Sequence, residues 1–256
     1  MNIALTGSSG FIGTHLLKLL KEDGHKVICL SRNSRGHDNS YTYDEYFDDK
    51  INCEIDYFIH LASPNYEYCK DDSLKTGIID LTSNIVQKLS NYKCKYFIYF
   101  SSAKVYGEPS FSDISYSEQS PLNPITDYAR AKCKAEKNIH FLSHKNEFKY
   151  IIYRLPMVYG PGMKSNIGNL LNLINKSLPF FYIKGTDSFK KSLASIENIK
   201  QIIKFNIENT SSVNNIILNI ADRDSFSLNE IIFEYKKISS SNSMIFPLPK
   251  FVLNLF

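Results

Sequence analysis

Ser102, Tyr128 and Lys132 are the residues of this chain whose types and spacing are best suited to chemistry. Tyr128 and Lys132, in DYARAK, stand four apart. On a helix that spacing sets phenol and ammonium one turn apart on one face. A free phenol has a pKa of about 10 and relays protons poorly at neutral pH. A fixed ammonium beside it favours the phenolate and is expected to lower that pKa by about 1–3 units. Ser102, in SSAKVYG at the end of an apolar run, supplies a hydroxyl to hold a substrate oxygen against the tyrosine. Together the three residues can move a proton on and off an oxygen.

Positioning them requires a strand to end at the serine and a helix to carry the Tyr–Lys pair. Tyr150–Leu155, Lys95–Ser101, Asp56–Ala62 and Asn215–Ala221 are near-continuous apolar runs, as expected of strands buried on both faces. Amphipathic stretches alternate with them, Leu74–Leu89 and Asp127–His144 among these, the latter with Asp127 as its expected N-cap. The pattern predicts an α/β fold, a doubly wound parallel sheet, with Ser102 just past the carboxyl end of a strand, where such sheets place ligands. His60 falls inside a strand and is expected in the core; His140 and His144 lack a third ligand and are expected in solvent.

The run Asn2–Thr6 leads into TGSSGFIG and then a leucine-periodic helix closed by Gly24. Strand, glycine turn and helix form the setting in which backbone N–H groups cradle a pyrophosphate. Gly7 permits the tight turn, Gly10 the approach of the phosphates, and Gly13 close packing of helix on sheet. The second strand, Lys26–Leu30, is followed by SRNSR. No carboxylate stands there to accept the ribose 2′-hydroxyl of NAD, whereas Ser31, Arg32 and Arg35 suit a 2′-phosphate, so NADP(H) is expected over NAD(H).

Composition narrows the classes. The chain has 256 residues, 43% hydrophobic, with Lys+Arg 30 against Asp+Glu 26, a charge of +4 that is too mild for a nucleic-acid binder. Five cysteines with no CxxC pair favour reduced thiols over a zinc site or disulfide frame. No apolar run approaches the ~20 residues that span a bilayer, and the first strand follows Met1 with no room for a signal peptide, so a cytoplasmic protein is expected.

In this order, TGSSGFIG, HLAS, SSAKVYG, YARAK and RLPMVYGPG resemble the motifs of extended short-chain dehydrogenases/reductases. More narrowly, the chain resembles the NAD(P)-dependent epimerase/dehydratase group that acts on nucleotide sugars, over about residues 1–235. The resemblance implies a Rossmann domain of residues 1–160, with 190–221 returning to it, and a small C-terminal substrate domain of 161–189 and 222–256. It implies Tyr128 as acid/base, Lys132 on the nicotinamide ribose, and Ser102 orienting the substrate oxygen. Gly7, Gly10, Phe11, Ile12 and Gly13 fall to the pyrophosphate turn, and Ser31, Arg32, Leu61, Ala62 and Leu155 to the rest of the cofactor. Lys104, Asn166 and Lys191 fall near substrate positions. A homodimer is a further implication.

The departures sort activities. The 4,6-dehydratases typically follow the serine with Asp-Glu, where this chain has Ala103 and Lys104, so that branch is disfavoured. Epimerases usually hold NAD with an acidic residue after the second strand, which SRN lacks. The reading favoured here is NADPH-dependent reduction of the C4 ketone of a nucleotide-activated 4-keto-6-deoxy sugar, for surface polysaccharide. A nucleotide-sugar C4-epimerase of UDP-glucose type is the alternative, and a non-catalytic dinucleotide sensor or scaffold a second one.

Overall fold

Strand-forming runs of Ile, Tyr and Phe build the centre of the protein. The computed structural model describes residues 1–33, 39–64, 71–107, 115–163, 165–210 and 214–248. The chain divides into two compact units, Met1–Pro156 with Ile196–Ile220, and Met157–Ser195 with Ala221–Phe256.

The first unit is an all-parallel seven-stranded sheet. Its strands are β1 (Asn2–Thr6), β2 (Lys26–Ser31), β3 (Ser40–Thr42), β4 (Tyr57–His60), β5 (Tyr96–Ser102), β6 (Lys149–Leu155) and, later in the chain, Ile216–Asn219, here β10. Their spatial order is β10-β6-β5-β4-β1-β2-β3. The order reverses between β1 and β4, and ligands of open α/β sheets enter at such a point. Burial of β4 on both faces explains its unbroken apolar character: Tyr57, Phe58, Ile59 and His60 are all 2% exposed or less. Phe97 and Tyr99 extend the core around Phe58, while Tyr153 packs edge-on against Phe100. At about 25 cal/mol per Å² of apolar surface, each such side chain contributes on the order of 2–3 kcal/mol.

Helices cover the faces. Phe11–Glu22 buries Gly13, Leu16 and Leu20, and the positive φ of Gly24 (78°) lets the chain leave it. Between β4 and β5 the expected single helix is compound: an α-turn at Asp71–Leu74, a π-helical stretch Lys75–Asp80, then α-helix to Lys88 and a 3₁₀ turn to Tyr92. Gly77 sits in the π stretch because a Cβ there would meet the Pro64 ring at 2.5 Å. The helix before β6, Asp127–Asn146, is capped by Thr126 rather than by Asp127. Thr126 has the extended backbone of a cap and its hydroxyl accepts the Ala129 N–H at 3.2 Å, while Asp127 takes the Arg130 Nε at 3.1 Å.

In the second unit, β7 (Met157–Tyr159) pairs parallel with β9 (Lys191–Ser195), and β11 (Ser225–Phe226) joins β9 antiparallel. β8 (Phe180–Ile183) pairs with β12 (Ile245–Leu248). Helices Asn166–Asn175 and Leu228–Ile238 enclose a small core around Ile174 and Ile232. Ser227 and Glu230 form the expected capping box, with Glu230 accepting the Ser227 N–H at 2.7 Å.

No described helix is long and apolar enough to cross a membrane. Cys29, Cys53, Cys94 and Cys133 are free thiols; Cys69 lies outside the described residues.

Candidate active site

The glycine turn lies at the reversal point of the sheet. Gly7 has φ +70°, and a Cβ on it would sit 2.9 Å from the Ala62 nitrogen at the end of β4. A Cβ on Gly13 would stand 2.1 Å from the Gly7 carbonyl oxygen, so only glycine lets the helix approach the turn. Gly10 is the N-cap and has no side chain to fill the end of that helix, which begins with Phe11 and Ile12. Leu61 and Ala62 are tied to the same place, because both of their N–H groups donate to the Thr6 hydroxyl, at 3.1 and 3.0 Å. Backbone donors at a helix start, with no side chain on its Gly10 cap to cover them, fit a dinucleotide pyrophosphate.

At the end of β2 the fit to a 2′-phosphate is looser. The Ser31 hydroxyl is donated to the Asn33 carbonyl at 2.7 Å, and Arg32 is exposed, its charge reaching Tyr43. Arg35 lies outside the described residues.

The Tyr–Lys face is built as the spacing requires. Ser102 ends β5 opposite Leu155 of β6, and its oxygen accepts the Lys104 N–H at 3.2 Å, starting the 3₁₀ turn Ala103–Tyr106. Lys104 itself is exposed. Lys132 is 2% exposed, and its ammonium donates to the Phe100 carbonyl of β5 at 2.9 Å. It also lies over the Tyr99 ring, 4.7 Å from the centroid, and 5.8 Å from that of Tyr128. One lysine therefore fixes the helix of Tyr128 to the strand of Ser102.

The electrostatics differ from the expectation. Burial pushes the Tyr128 phenol up to about 12, against a hydrogen bond from Ser63 that favours the phenolate. Burial likewise pushes Lys132 down to about 7, opposed by the nearby Glu136 carboxylate. The lysine does not lower the tyrosine here because both groups have lost water and the ammonium is spent on a carbonyl and an aromatic face. The pair is a neutral phenol next to a weakly held cation.

Residues that sequence reasoning did not single out complete the surroundings. Ser63 follows the HLA run. Glu136 and Arg154 form an ion pair with side chains 4% and 3% exposed. Glu136 is four residues beyond Lys132 on the same helix face, and Arg154 is a charge inside an apolar strand that needs a counter-charge; either signal was available. His60 is a core residue as expected, held by Thr6 at 2.7 Å and Thr82 at 3.0 Å. His140 and His144 are both exposed, though His140 shares a 2.8 Å hydrogen bond with Tyr150. Among the described residues no group of His, Cys, Asp or Glu could hold a metal ion.

Asn166 and Lys191 belong to the second unit. Asn166 is the first residue of a helix capped by Ser165, and Lys191 opens β9 as an exposed residue.

Two burials bear on the pH response of the fold between about pH 5 and 9. Burial, reinforced by Lys132, pushes His60 down to about 3. The unfolded chain binds a proton at His60 below about pH 6.5, which the folded one refuses until about 3. Stability is therefore lost as pH falls through that window, by roughly 1.4 kcal/mol per unit at most. For Lys132 the window runs from about 7, folded, to 10.5, unfolded, and stability rises across it. Urea midpoints should increase from pH 5 to 9, and His60→Asn should flatten the portion below 6.5. A midpoint independent of pH in both proteins would contradict this.

A parallel sheet with a glycine turn at its reversal point, and a serine, tyrosine and lysine on the neighbouring strand and helix, defines a short-chain dehydrogenase/reductase. Residues 3–221 match the NAD dependent epimerase/dehydratase family, and the chain belongs to that family. It is 27% identical to a UDP-glucose 4-epimerase of Vibrio cholerae, over 100% of this chain and 81% of that protein. A UDP-glucose 4-epimerase of Halalkalibacterium halodurans is also 27% identical, over 66% of this chain and 54% of that protein. Among solved structures, the UDP-glucuronic acid 4-epimerase of Bacillus cereus in complex with NAD superposes with a TM-score of 0.81 at 22% identity, covering 97% of this chain and 87% of that one.

Proposed function

We propose that this protein is a nucleotide-sugar C4-epimerase that holds NAD and inverts the C4 hydroxyl of a UDP-hexose. The observation that carries the reading is the Tyr128–Lys132 face, joined to the end of β5 through the Phe100 carbonyl beside Ser102. Tyr128, as phenolate, takes the proton from the C4 hydroxyl and, as phenol, gives it back, Ser102 holds that oxygen, and Lys132 stabilises the phenolate before the first transfer and after the second. A dinucleotide bound there would supply the hydride acceptor and donor for C4, and its oxidised ring would add positive charge that favours the phenolate. Gly7, Gly10 and Gly13 would hold its pyrophosphate, with Leu61 and Ala62 alongside.

Similarity to a 4-epimerase along the whole chain supports this above the NADPH-dependent 4-reductase expected from SRN. The Ser31 hydroxyl is donated to the Asn33 carbonyl and Arg32 is exposed, which gives NADP less weight than SRN alone does. Ala103 and Lys104 still speak against a dehydratase, since neither supplies a carboxylate. The second unit, with Asn166 and Lys191, is the part we take to receive the nucleotide sugar. The test is to denature the purified protein and chromatograph what it releases, then incubate it with UDP-glucose and no added cofactor. Released NAD and formation of UDP-galactose are expected. Consumption of added NADPH by 4-keto sugars, with no interconversion, would return the case to the reductase.

A further inference from the structure

We propose that Glu136 is a positioning residue that, clamped by Arg154, keeps Lys132 a cation and holds the strand end of Ser102 to the helix of Tyr128. This rests on the epimerase reading for its catalytic consequence, though not for its structural one. Tyr128, Lys132 and Glu136 are four apart in turn, on one helix face. The carboxylate is saturated: it takes Arg154 Nε at 3.1 and 3.2 Å, Arg154 Nη2 at 2.6 Å, and the hydroxyl of Ser101, the neighbour of Ser102. Arg154 reaches on from Nη1 to the Tyr106 hydroxyl at 2.9 Å, and Tyr106 donates to Asn219 at 2.7 Å. A single buried network thus spans the end of β5, the turn after Ser102, the catalytic helix, β6 and β10.

Stability alone is a poor reason for this arrangement, because a buried ion pair is often replaced by apolar residues without loss. What an apolar pair would lack is negative charge beside Lys132. The groups facing that ammonium are Tyr99 and the Phe100 carbonyl from β5, Tyr128 and Glu136 from its own helix, and His60 from β4. Arg154 of β6 stands beyond Glu136. Of these Glu136 brings the one negative charge, which opposes the burial of the lysine charge, and His60 remains neutral. With Glu136 neutralised, Lys132 would lose its proton at lower pH and the phenolate its partner.

The experiment follows the Lys132 side chain by NMR against pH, its resonance identified by its loss in Lys132→Met, and in parallel the pH profile of turnover. Glu136→Gln is expected to move the Lys132 midpoint down by about one unit or more and the alkaline limb of turnover with it. Arg154→Gln, which leaves the carboxylate, is expected to move it up. Glu136→Gln/Arg154→Met removes both buried charges and should recover thermal stability while its midpoint stays below that of the unmodified protein. Midpoints that coincide in all of these proteins, or that shift the same way in both single variants, would overturn the proposal. If the unmodified protein turned over no UDP-hexose while the midpoints moved as expected, the epimerase reading would fail and the role of Glu136 would stand.

Discussion

Tyr128→Phe is expected to lower the rate of C4 inversion about a thousandfold and leave dinucleotide binding nearly unchanged. Removal of a positioned proton-transfer group costs roughly 10²–10⁴ in rate. On the proposed reading, the lost atom is the oxygen that exchanges a proton with the C4 hydroxyl. Phenylalanine keeps the half-buried ring in place, over which Lys132 lies at 5.8 Å, so the helix and its bond to Phe100 should persist. The loss belongs in kcat, while the Kd of NAD, measured by fluorescence quenching or calorimetry, stays close to that of the unmodified protein. Turnover within tenfold of the parent would remove Tyr128 from the chemistry.

Gly13→Ala should act on the other half of the site. The new methyl would stand 2.1 Å from the Gly7 oxygen, 2.8 Å from its carbonyl carbon and 2.9 Å from the Ser8 Cα, all backbone atoms that cannot rotate away. Either the helix Phe11–Glu22 retreats from the sheet or the turn deforms. Forced overpacking costs about 1–3 kcal/mol or more. If that distortion falls on the pyrophosphate cradle, NAD affinity drops on the order of a hundredfold. Gly24→Ala is the control: nothing lies within 4 Å of its added carbon, but φ is +78°. It should lose about 1 kcal/mol of stability, as a left-handed residue does, with no change in NAD affinity. Equal affinity for NAD in Gly13→Ala and the parent would show that the glycine turn does not hold the dinucleotide.

Much of this site was legible because its signals are local. The glycines of TGSSGFIG, the apolar strands and the i, i+4 spacing of Tyr128 and Lys132 each follow from short-range geometry, and the sheet places them as their order implies. What was not legible depends on neighbours distant in sequence. The direction of the Tyr128 shift is decided by burial against the core, which no spacing reveals. The absence of an acid after β2 suggested a 2′-phosphate site; that the Ser31 hydroxyl is donated to the Asn33 carbonyl is a detail no composition reveals. Thr126 displaced Asp127 as cap because cap choice rests on one residue's backbone angles, which propensity barely separates. The Glu136–Arg154 pair was recoverable in principle, since a guanidinium inside YIIYRL demands a carboxylate.

The central claim is tested most directly with UDP-glucose deuterated at C4, incubated with the protein in ordinary water without added dinucleotide. If the hydrogen leaves C4 and returns within one active site, UDP-galactose forms and keeps the deuterium at C4. Galactose product that has lost the label to solvent, or no product until NADPH and a 4-keto sugar are supplied, would contradict the account.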